Sequence, residues 1–325
     1  MSANEVVGIG SAWVNRVVHC SVNRLQSLGI EPGAVIKVDR QQYRDLCAQI
    51  QDVFQYAGGS VANTLVALSR LKRSVGFVGK SSQDGDGLFF LNDLVANGVN
   101  ILLQPSEVDL ATSGCLYQYS NPTMVTKVVH LGASKTLGLS DMSMSDVVSA
   151  RYLLIEADIL DMPRLHEWLA TVVDMAKKSN TDIVLVLSNK YVVARHREFL
   201  MDLMGCVDMV AGNEVEFEAL LNTQSQASIV RGLSHFSLRV LMTQSANGAI
   251  VLDGGCLTTY GAYPCEFVDA TAAGDYYLAG FLHAMLDGQG VEHAATMGSM
   301  VAAEVCSVRG SRCSQSLDFT ELVCY

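Results

Sequence analysis

The sequence predicts an α/β fold in which a parallel sheet is covered by helices on both faces. Short aliphatic runs at 151–155 and 182–187 read as buried strands, and amphipathic stretches at 163–178 and 194–204 read as helices. Strands that alternate with helices pair in parallel, because each helix returns the chain across the sheet. The chain has 325 residues, 50% of them hydrophobic, and we expect one domain over residues 1–325.

Composition and charge exclude several classes of function. The formal net charge is -11 and the sequence pI is about 5.0, so neither nucleic acid nor an anionic membrane is an expected partner. The sequence shows no secretion signal and no apolar run of about 18 residues that would span a membrane. Its nine cysteines are dispersed, which favours reduced thiols over disulfides or a zinc site. These features predict a cytoplasmic protein.

The N-terminal part begins with an apolar strand, 5–9, that runs into a loop with Gly8 and Gly10. The third glycine of the dinucleotide-binding fingerprint is missing, so we exclude that fold. The pattern over 17–38 is β-like, and 41–54 reads as an amphipathic helix.

A glycine pair opens the next predicted helix. Gly58 and Gly59 permit close approach of the backbone to a ligand, and Ser60 is placed to cap a helix that carries Asn63 in its first turn. The alternative is a glycine-rich turn before a core helix. Further on, 84–87 reads as a turn and 88–96 as a helix.

Alternation of apolar and polar residues predicts two further β segments, at 101–107 and 114–130. Ser120, Asn121 and Pro122 read as a hairpin turn within the second segment. The strand at 151–155 is followed by Glu156, which is either a substrate contact or an ordinary acid at a strand end.

Polar residues follow the strand predicted at 207–210. Asn213 and Glu216 could share a hydrated Mg²⁺, because this ion prefers oxygen ligands. Their spacing is equally typical of a capping box at a helix start. The strand at 238–242 then ends at a loop from Thr243 to Gly248.

The stretch from 268 to 285 is a loop that opens a helix. Ala272, Ala273 and Gly274 carry little side-chain bulk, so their amides could converge on an anion at the positive end of the helix. Asp275 beside that anion would suit a base that takes a proton from a hydroxyl attacking a phosphoryl group. The alternative for Asp275 is an ordinary first-turn acid.

Five blocks in order resemble the ribokinase-like (PfkB) carbohydrate and nucleoside kinases. The segment 269–275 resembles their signature D-[ST]-x-[GA]-A-G-D, and 58–63 resembles G-G-S-x-A-N. The other three blocks are 75–87, N-x-x-E at 213–216, and the loop 243–248, which resembles T-x-G-x-x-G. The resemblance implies a three-layer α/β/α fold with a mostly parallel sheet and a small β-sheet lid, drawn from about 11–40 and 101–130.

The resemblance also implies site residues, an ATP donor and Mg²⁺. Asp275 would be the base, with the amides of Ala272, Ala273 and Gly274 as the anion hole. The positions that match the family's other ligand contacts are Gly58, Gly59, Asn63 and Asn15 for the acceptor, Asn213, Thr243 and Gly248 for ATP, Asn213 and Glu216 for Mg²⁺, and Asp269 and Thr271 for an activating monovalent cation such as K⁺. Glu156 is a further acceptor candidate because of its place after a strand, and not because of the resemblance.

The residues of these motifs are most similar to those of the bacterial adenosine-kinase-like branch, whose members phosphorylate a ribose hydroxymethyl group. Asn15 stands where the family usually has an aspartate, Pro122 where many members have an arginine, and Ala270 and Ala272 replace a hydroxyl residue and a glycine. A free-sugar kinase and a catalytically weak binding protein therefore stay open as alternatives. The resemblance also leaves open a homodimer through the lid.

Overall fold

The computed structural model describes residues 3–18, 20–50, 53–102, 106, 110–121, 124–163 and 165–313. The strands are β1 (Val6–Ile9), β2 (Trp13–Val18), β3 (Val35–Lys37), β4 (Val53–Gly58), β5 (Val75–Val78), β6 (Asn100–Ile101), β7 (Ser113–Asn121), β8 (Met124–His130), β9 (Tyr152–Glu156), β10 (Asp182–Val186), β11 (Met209–Asn213), β12 (Arg239–Thr243), β13 (Ala249–Asp253) and β14 (Cys256–Tyr260). The helices are α1 (Val22–Ser27), α2 (Arg40–Gln49), α3 (Ser60–Arg70), α4 (Gly85–Ala96), α5 (Met144–Val148), α6 (Leu165–Lys178), α7 (Lys190–Arg195), α8 (Arg197–Met204), α9 (Glu214–Leu221), α10 (Gln226–Leu233), α11 (Ala273–Leu286) and α12 (Val291–Cys306).

Within these residues, a large sheet of nine strands forms the middle layer. Its order is β14-β13-β12-β11-β10-β9-β1-β5-β6. All neighbours pair in parallel except β12 with β13 and β13 with β14, which form antiparallel pairs at one end. The parallel sheet predicted from alternating strands and helices is confirmed.

Both faces of the large sheet are buried under helices, as strand β1 shows. Val6 points into a core shared with helices α3, α11 and α12, whereas Val7 and Ile9 point into the opposite core with α6, α8 and α9. Successive side chains of a strand face opposite sides, so a strand covered on both faces reads as a continuous apolar run. This arrangement produces the three layers.

A second sheet of five strands, in the order β3-β8-β7-β2-β4, forms the lid. Helices α1 and α2 pack on it through a separate small core that includes Leu25, Tyr43 and Leu116. Four of its strands come from 11–40 and 101–130. The assignment of the whole chain to one domain stays a prediction.

The first half of the lid differs from the sequence-based prediction. Helix α1 lies inside the segment expected to be β-like, since Ser21 accepts a hydrogen bond from the amide of Arg24 and so starts a short helix. The helix expected over 41–54 ends earlier, as α2, and β4 follows as an edge strand of the lid. Six-residue helices give too few repeats for a periodicity argument.

Two other boundaries also differ. Helix α4 begins at Gly85, inside the predicted turn, because Asp84 accepts a hydrogen bond from the amide of Gly87 and caps the helix. The β segment expected over 101–107 is reduced, within the described residues, to the short strand β6 of the large sheet. Residues 103–105 and 107 lie outside the described ranges.

The carboxyl ends of β1, β9, β11 and β12 meet along one edge of the large sheet, and β2 of the lid begins a few residues after β1. Open α/β sheets bind ligands at this edge. The polar residues predicted from the sequence follow these strand ends.

Candidate active site

Two pockets lie side by side at the carboxyl edge of the large sheet. The larger one, about 600 Å³, lies between the lid and the strand ends. The smaller one, about 240 Å³, is formed by the ends of β11 and β12 and the beginning of α11. Ser60 and Ser188 line both pockets, so the two pockets are direct neighbours.

Asp275 lies where the two pockets meet. It lines the smaller pocket, and its Oδ2 accepts a hydrogen bond of 2.7 Å from Nδ2 of Asn63, which lines the larger pocket. Burial raises the pKa of the Asp275 carboxyl to about 7, although the hydrogen bonds from Asn63 and Ser60 and the charge of Arg312 act in the opposite direction. A base with a pKa near neutrality suits proton abstraction.

The backbone before Asp275 turns sharply into helix α11. Ala272 is the N-cap and has a left-handed conformation, φ 65°, which is the backbone region that favours glycine. The amide of Ala273 donates to the carbonyl of Ala270 at 3.1 Å. Among the described residues, the amides of Ala272 and Gly274 have no acceptor, so these two are available to an anion.

Asn213 and Glu216 form a complete capping box at the start of α9. Oδ1 of Asn213 accepts from the Glu216 amide at 3.0 Å, and Oε2 of Glu216 accepts from the Asn213 amide at 2.9 Å. Both residues also line the smaller pocket. Burial raises the pKa of Glu216 to about 7. The box occupies only one carboxylate oxygen of Glu216, so the cap does not exclude an ion at the other.

The donor set of the smaller pocket fits Mg²⁺ held with water and phosphate. In the described ranges no three His, Cys, Asp or Glu side chains cluster as metal ligands. Mg²⁺ commonly binds through one or two carboxylates, together with water and substrate phosphates. Glu216 supplies one carboxylate and Asn213 an amide oxygen to this pocket, which meets this requirement.

The loop after β12 places Thr243 and Gly248 differently. Thr243 lines the smaller pocket, whereas Gly248 is not among its lining residues. Gly248 has φ 88°, and a Cβ there would lie 2.0 Å from the carbonyl oxygen of Tyr260. Ser245 is also left-handed, φ 51°, at the motif position where a glycine is usual. Gly248 therefore shapes the loop.

Asp269 and Thr271 are linked by a local turn. Oδ1 of Asp269 accepts from the amide and the hydroxyl of Thr271, at 2.9 and 2.8 Å. Oδ2 accepts from the amide of Gly310 at 2.9 Å, which ties this loop to the segment after α12. Both carboxylate oxygens thus have protein donors. A monovalent cation at this loop stays a prediction.

The residues predicted to bind the acceptor meet beneath the lid. Asn15 and Gly59 line the larger pocket together with Asn63. Gly58 makes room for Asn15, because a Cβ on Gly58 would lie 2.0 Å from Nδ2 of that side chain. Gly59 has φ 100° and is the N-cap of α3, so Ser60 is the first helical residue and not the cap expected from the sequence.

Glu156 joins two segments at the floor of the larger pocket. Its side chain is buried, and its oxygens accept from the amides of Ser11 at 3.0 Å and Ser60 at 2.9 Å. Burial, and then the neighbouring Asp158, raises the pKa of Glu156 to about 8. Glu156 therefore holds the start of α3 to the β1–β2 loop while it lines the pocket.

Several residues of the larger pocket were not predicted. Within the described residues, Oδ1 of Asp158 and Nε1 of Trp13 are buried without a hydrogen-bond partner. The ammonium group of Lys127 lies 5.1 Å from the ring centre of Tyr117, and its charge acts to lower the pKa of Asp158. These three side chains offer an acceptor, a donor and a charge to a ligand. None belongs to a sequence motif, so no local signal marks them.

Asp161 connects the lid to the body at the mouth of the larger pocket. It pairs with Lys37 of β3 at 2.8 Å, and with Arg195 and His196 at 2.7 and 3.0 Å. Burial alone would raise the pKa of Asp161, but the hydrogen bonds from these three partners hold it below its usual value. Pro122, the other predicted departure from the family pattern, lies outside the described residues.

Comparisons with known proteins agree with this fold. Residues 32–317 match the family described as pfkB family carbohydrate kinase. A 5-dehydro-2-deoxygluconokinase from Clostridium perfringens is 23% identical over 287 residues, 83% of each chain. An adenosine kinase from Schizosaccharomyces pombe is 24% identical over 339 residues, 96% of each chain. The crystal structure of an adenosine kinase from Sinorhizobium meliloti matches all of both chains with TM-score 0.91 and 26% identity.

None of the helices described here has the length and apolar character needed to cross a bilayer.

Proposed function

The chain belongs to the pfkB carbohydrate kinase family, and we propose how its two pockets divide the transfer of a phosphoryl group from ATP to a sugar or nucleoside hydroxyl. One observation carries the proposal: Asp275 lies between the pocket that would hold the acceptor and the pocket that would hold the phosphates. A base at that junction reaches the attacking hydroxyl and faces the γ-phosphorus from the acceptor side.

In this scheme the acceptor hydroxyl gives its proton to the carboxylate of Asp275. The hydroxyl oxygen then bonds to the γ-phosphorus, the bond from that phosphorus to the β-γ bridging oxygen breaks, and ADP leaves. The free amides of Ala272 and Gly274 would stabilise charge on the transferred group. Mg²⁺, when bound, would offset phosphate charge, with Glu216 and Asn213 holding it and Thr243 beside the phosphates.

A nucleoside is the first candidate for the acceptor. The larger pocket has room for a base as well as a sugar, and aromatic rings line it at Trp13, Tyr56, Tyr117 and Tyr191. Two of the relatives described above are adenosine kinases. Asn63 and Asn15 would then hold the ribose hydroxyls near Asp275.

A sugar acid is the second candidate, and Lys127 favours it. Its ammonium group lines the pocket near Asp158 and Tyr117, where a ligand carboxylate would find a positive charge to pair with. A relative named for a sugar acid, 5-dehydro-2-deoxygluconate, matches most of the chain. Lys127→Met should therefore raise KM for a sugar acid and leave KM for a nucleoside nearly unchanged.

The decisive experiment measures ADP formation with Mg²⁺-ATP against adenosine, inosine, guanosine, ribose, fructose and two sugar acids, for wild type and Asp275→Asn. We expect the variant to lose at least about 10²-fold in kcat while it keeps ligand-induced thermal stabilisation. The wild-type kcat/KM should rise with pH to a plateau above about 7, because the base must be ionised.

Asp182→Asn is the matched control. The pKa of Asp182 is also raised by burial, but this residue begins β10 at the opposite edge of the sheet. Full turnover by Asp275→Asn would refute the assignment of the base. If no acceptor reacts while a nucleoside still raises the melting temperature, the chain is a binding protein.

A monovalent cation such as K⁺ is proposed at the loop of Asp269 and Thr271. The contact of Asp269 with Gly310 supports it, because a cation there would fix two segments beside the start of α11. Turnover in KCl and in choline chloride at equal ionic strength tests it, and equal rates would rule it out.

A homodimer through the lid is proposed as well. In the described residues the outer strands of the lid sheet are β3 and β4, and they expose Val35 and Phe54. Light scattering over a range of protein concentrations would measure the mass. A cytoplasmic location stays a prediction.

A further inference from the structure

We propose that Arg312, in the segment after α12, is a positioning residue that fixes the amide of Asn63 so that this amide holds the carboxylate of Asp275. The inference rests on the proposed function, since it takes Asp275 as the base. Arg312 belongs to none of the sequence motifs.

The guanidinium group of Arg312 is held on two sides. Its Nε and Nη2 donate to Oδ2 of Asp93, on α4, at 2.9 and 2.7 Å. Its Nη1 donates to Oδ1 of Asn63 at 2.6 Å and to the carbonyl of Ser311 at 2.9 Å. Only 15% of the side chain is exposed. Each guanidinium nitrogen has a partner, so the group has a fixed orientation.

Arg312 selects one of the two orientations of the Asn63 amide. A guanidinium group has donors and no acceptor, so the carbonyl oxygen of Asn63 must face it. The NH₂ group then points the other way and donates to Oδ2 of Asp275 at 2.7 Å. A flipped amide would bring two donors together at Arg312 and two acceptors together at Asp275. The carboxylate of Asp275 is therefore held through Asn63.

Arg312 also brings a positive charge that acts on Asp275. Three acids, Asp158, Glu156 and Glu216, interact electrostatically with Asp275 in the opposite sense. Burial raises the pKa of Asp275, and Arg312 lowers it. Loss of Arg312 should raise that pKa further, because both the charge and the oriented hydrogen bond are weakened. A larger fraction of the base would then be protonated at neutral pH.

The test is the pH dependence of kcat/KM for wild type, Arg312→Gln, Arg312→Lys and a control, Arg73→Gln. Arg73 matches Arg312 in burial, with 14% of the side chain exposed, and it pairs with Glu5 and Asp287. Arg73 precedes strand β5 and so lies at the opposite edge of the sheet. Both glutamine variants lose a partly buried ion pair, but only one can affect Asn63.

We expect Arg312→Gln to lower kcat/KM by about 10- to 100-fold and to move its acid limb up by roughly one pH unit. Arg312→Lys should keep the acid limb of the pH profile near its wild-type position, because lysine keeps the positive charge. Its kcat should still fall, since one ammonium group cannot bind both Asp93 and Asn63. Arg73→Gln should lower the melting temperature and leave the pH profile unchanged.

A double variant asks whether Arg312 acts through Asn63. In an Asn63→Ala background, Arg312→Gln should cause a clearly smaller loss of kcat/KM than in wild type, because only the effect of its charge on Asp275 remains. The proposal is overturned if Arg312→Gln keeps the wild-type profile, or if its loss is undiminished without Asn63. Should Arg312→Gln not fold, Arg312→Lys and the Asn63→Ala background decide the matter.

Failure of the proposed function gives a different result. Full turnover by Asp275→Asn would refute the assignment of Asp275 as the base, whatever the result for the Arg312 variants. Independently of turnover, a carbon NMR titration of the Asp275 carboxyl should show a higher pKa in Arg312→Gln than in wild type. An unchanged titration would overturn the positioning role.

Discussion

Replacing Glu216 with glutamine separates its two proposed tasks, the helix cap and the magnesium ligand. Glutamine keeps the hydrogen bond from the amide of Asn213, because Glu and Gln serve equally in a capping box. It removes the negative charge from the smaller pocket. Any large effect of Glu216→Gln is therefore an effect of charge.

The expected change in stability follows from the pKa of Glu216, which burial raises from 4.5 to about 7. A group with a raised pKa in the folded state costs stability as the pH rises between those two values. One pH unit corresponds to about 1.4 kcal/mol, so the charged side chain costs about 3 kcal/mol above pH 7. Glu216→Gln should raise the free energy of unfolding by up to about 3 kcal/mol at pH 8, and by less than about 1 kcal/mol at pH 5.

Thermal unfolding at the two pH values measures this difference. For a chain of this length, about 3 kcal/mol corresponds to a rise of roughly 4 °C in Tm at pH 8. A magnesium titration of turnover at fixed ATP measures the other task. If Glu216 holds the ion, the Mg²⁺ concentration for half-maximal rate should rise at least about 10-fold.

Asp39→Asn is the control, because Asp39 forms an exposed capping box on lid helix α2. That variant should change stability by less than about 0.5 kcal/mol at either pH, since Asn caps as well as Asp. An unchanged magnesium requirement in Glu216→Gln would show that Glu216 is a cap only. A loss of stability at pH 8 would show that burial does not raise its pKa.

Three further predictions concern the backbone and the lid. Ala272→Gly removes an alanine from a left-handed conformation and should raise the free energy of unfolding, measured in urea, by up to about 1 kcal/mol, with turnover retained. A clear decrease in the free energy of unfolding would mean that packing of the alanine methyl group outweighs the backbone strain. Gly248→Ala should lower it by about 2 kcal/mol or more, because the Cβ would meet the Tyr260 carbonyl, and a neutral result would contradict the loop geometry. Asp161→Asn should raise KM for the acceptor about 3- to 10-fold with little change in kcat, because the lid loses its ion pair with the body. Exposed Asp174→Asn is the control, and an unchanged KM in Asp161→Asn would show that the lid contact does not affect acceptor binding.

The large sheet could be predicted because its strands carry a strong local signal. Strands β9 and β10 are apolar runs buried on both faces, and β9 leads to α6, a helix long enough for its period to be read. The lid could be predicted only in part. Helix α1 has only six residues, and strand β4 lies at the edge of the lid with an exposed aromatic side chain. The conformation of both elements therefore depends on tertiary contacts more than on the local sequence.

The residues of the smaller pocket could be predicted because small residues and acids at strand ends leave a pattern in the sequence. The larger pocket could be predicted only in part. Asn63 and Glu156 were candidates from the sequence, but Lys127 and Asp158 come from the lid and from a segment without a motif. Arg312 is the extreme case, since 249 residues separate it from Asn63. A contact at that separation leaves no periodicity or spacing to read.

Four carboxyl groups with raised pKa values surround the site: Glu156, Asp158, Glu216 and Asp275. Burial is the first cause for each, and the acids also repel one another. Folding takes up protons at these groups, so as pH rises toward 8 the unbound protein loses the stability that the protonated forms give. Proton abstraction by Asp275 needs the opposite condition, because the base must be ionised. The turnover rate should therefore increase with pH over the range in which the unbound protein becomes less stable. Mg²⁺-ATP should offset that loss, because a ligand that binds the folded state and not the unfolded one stabilises it.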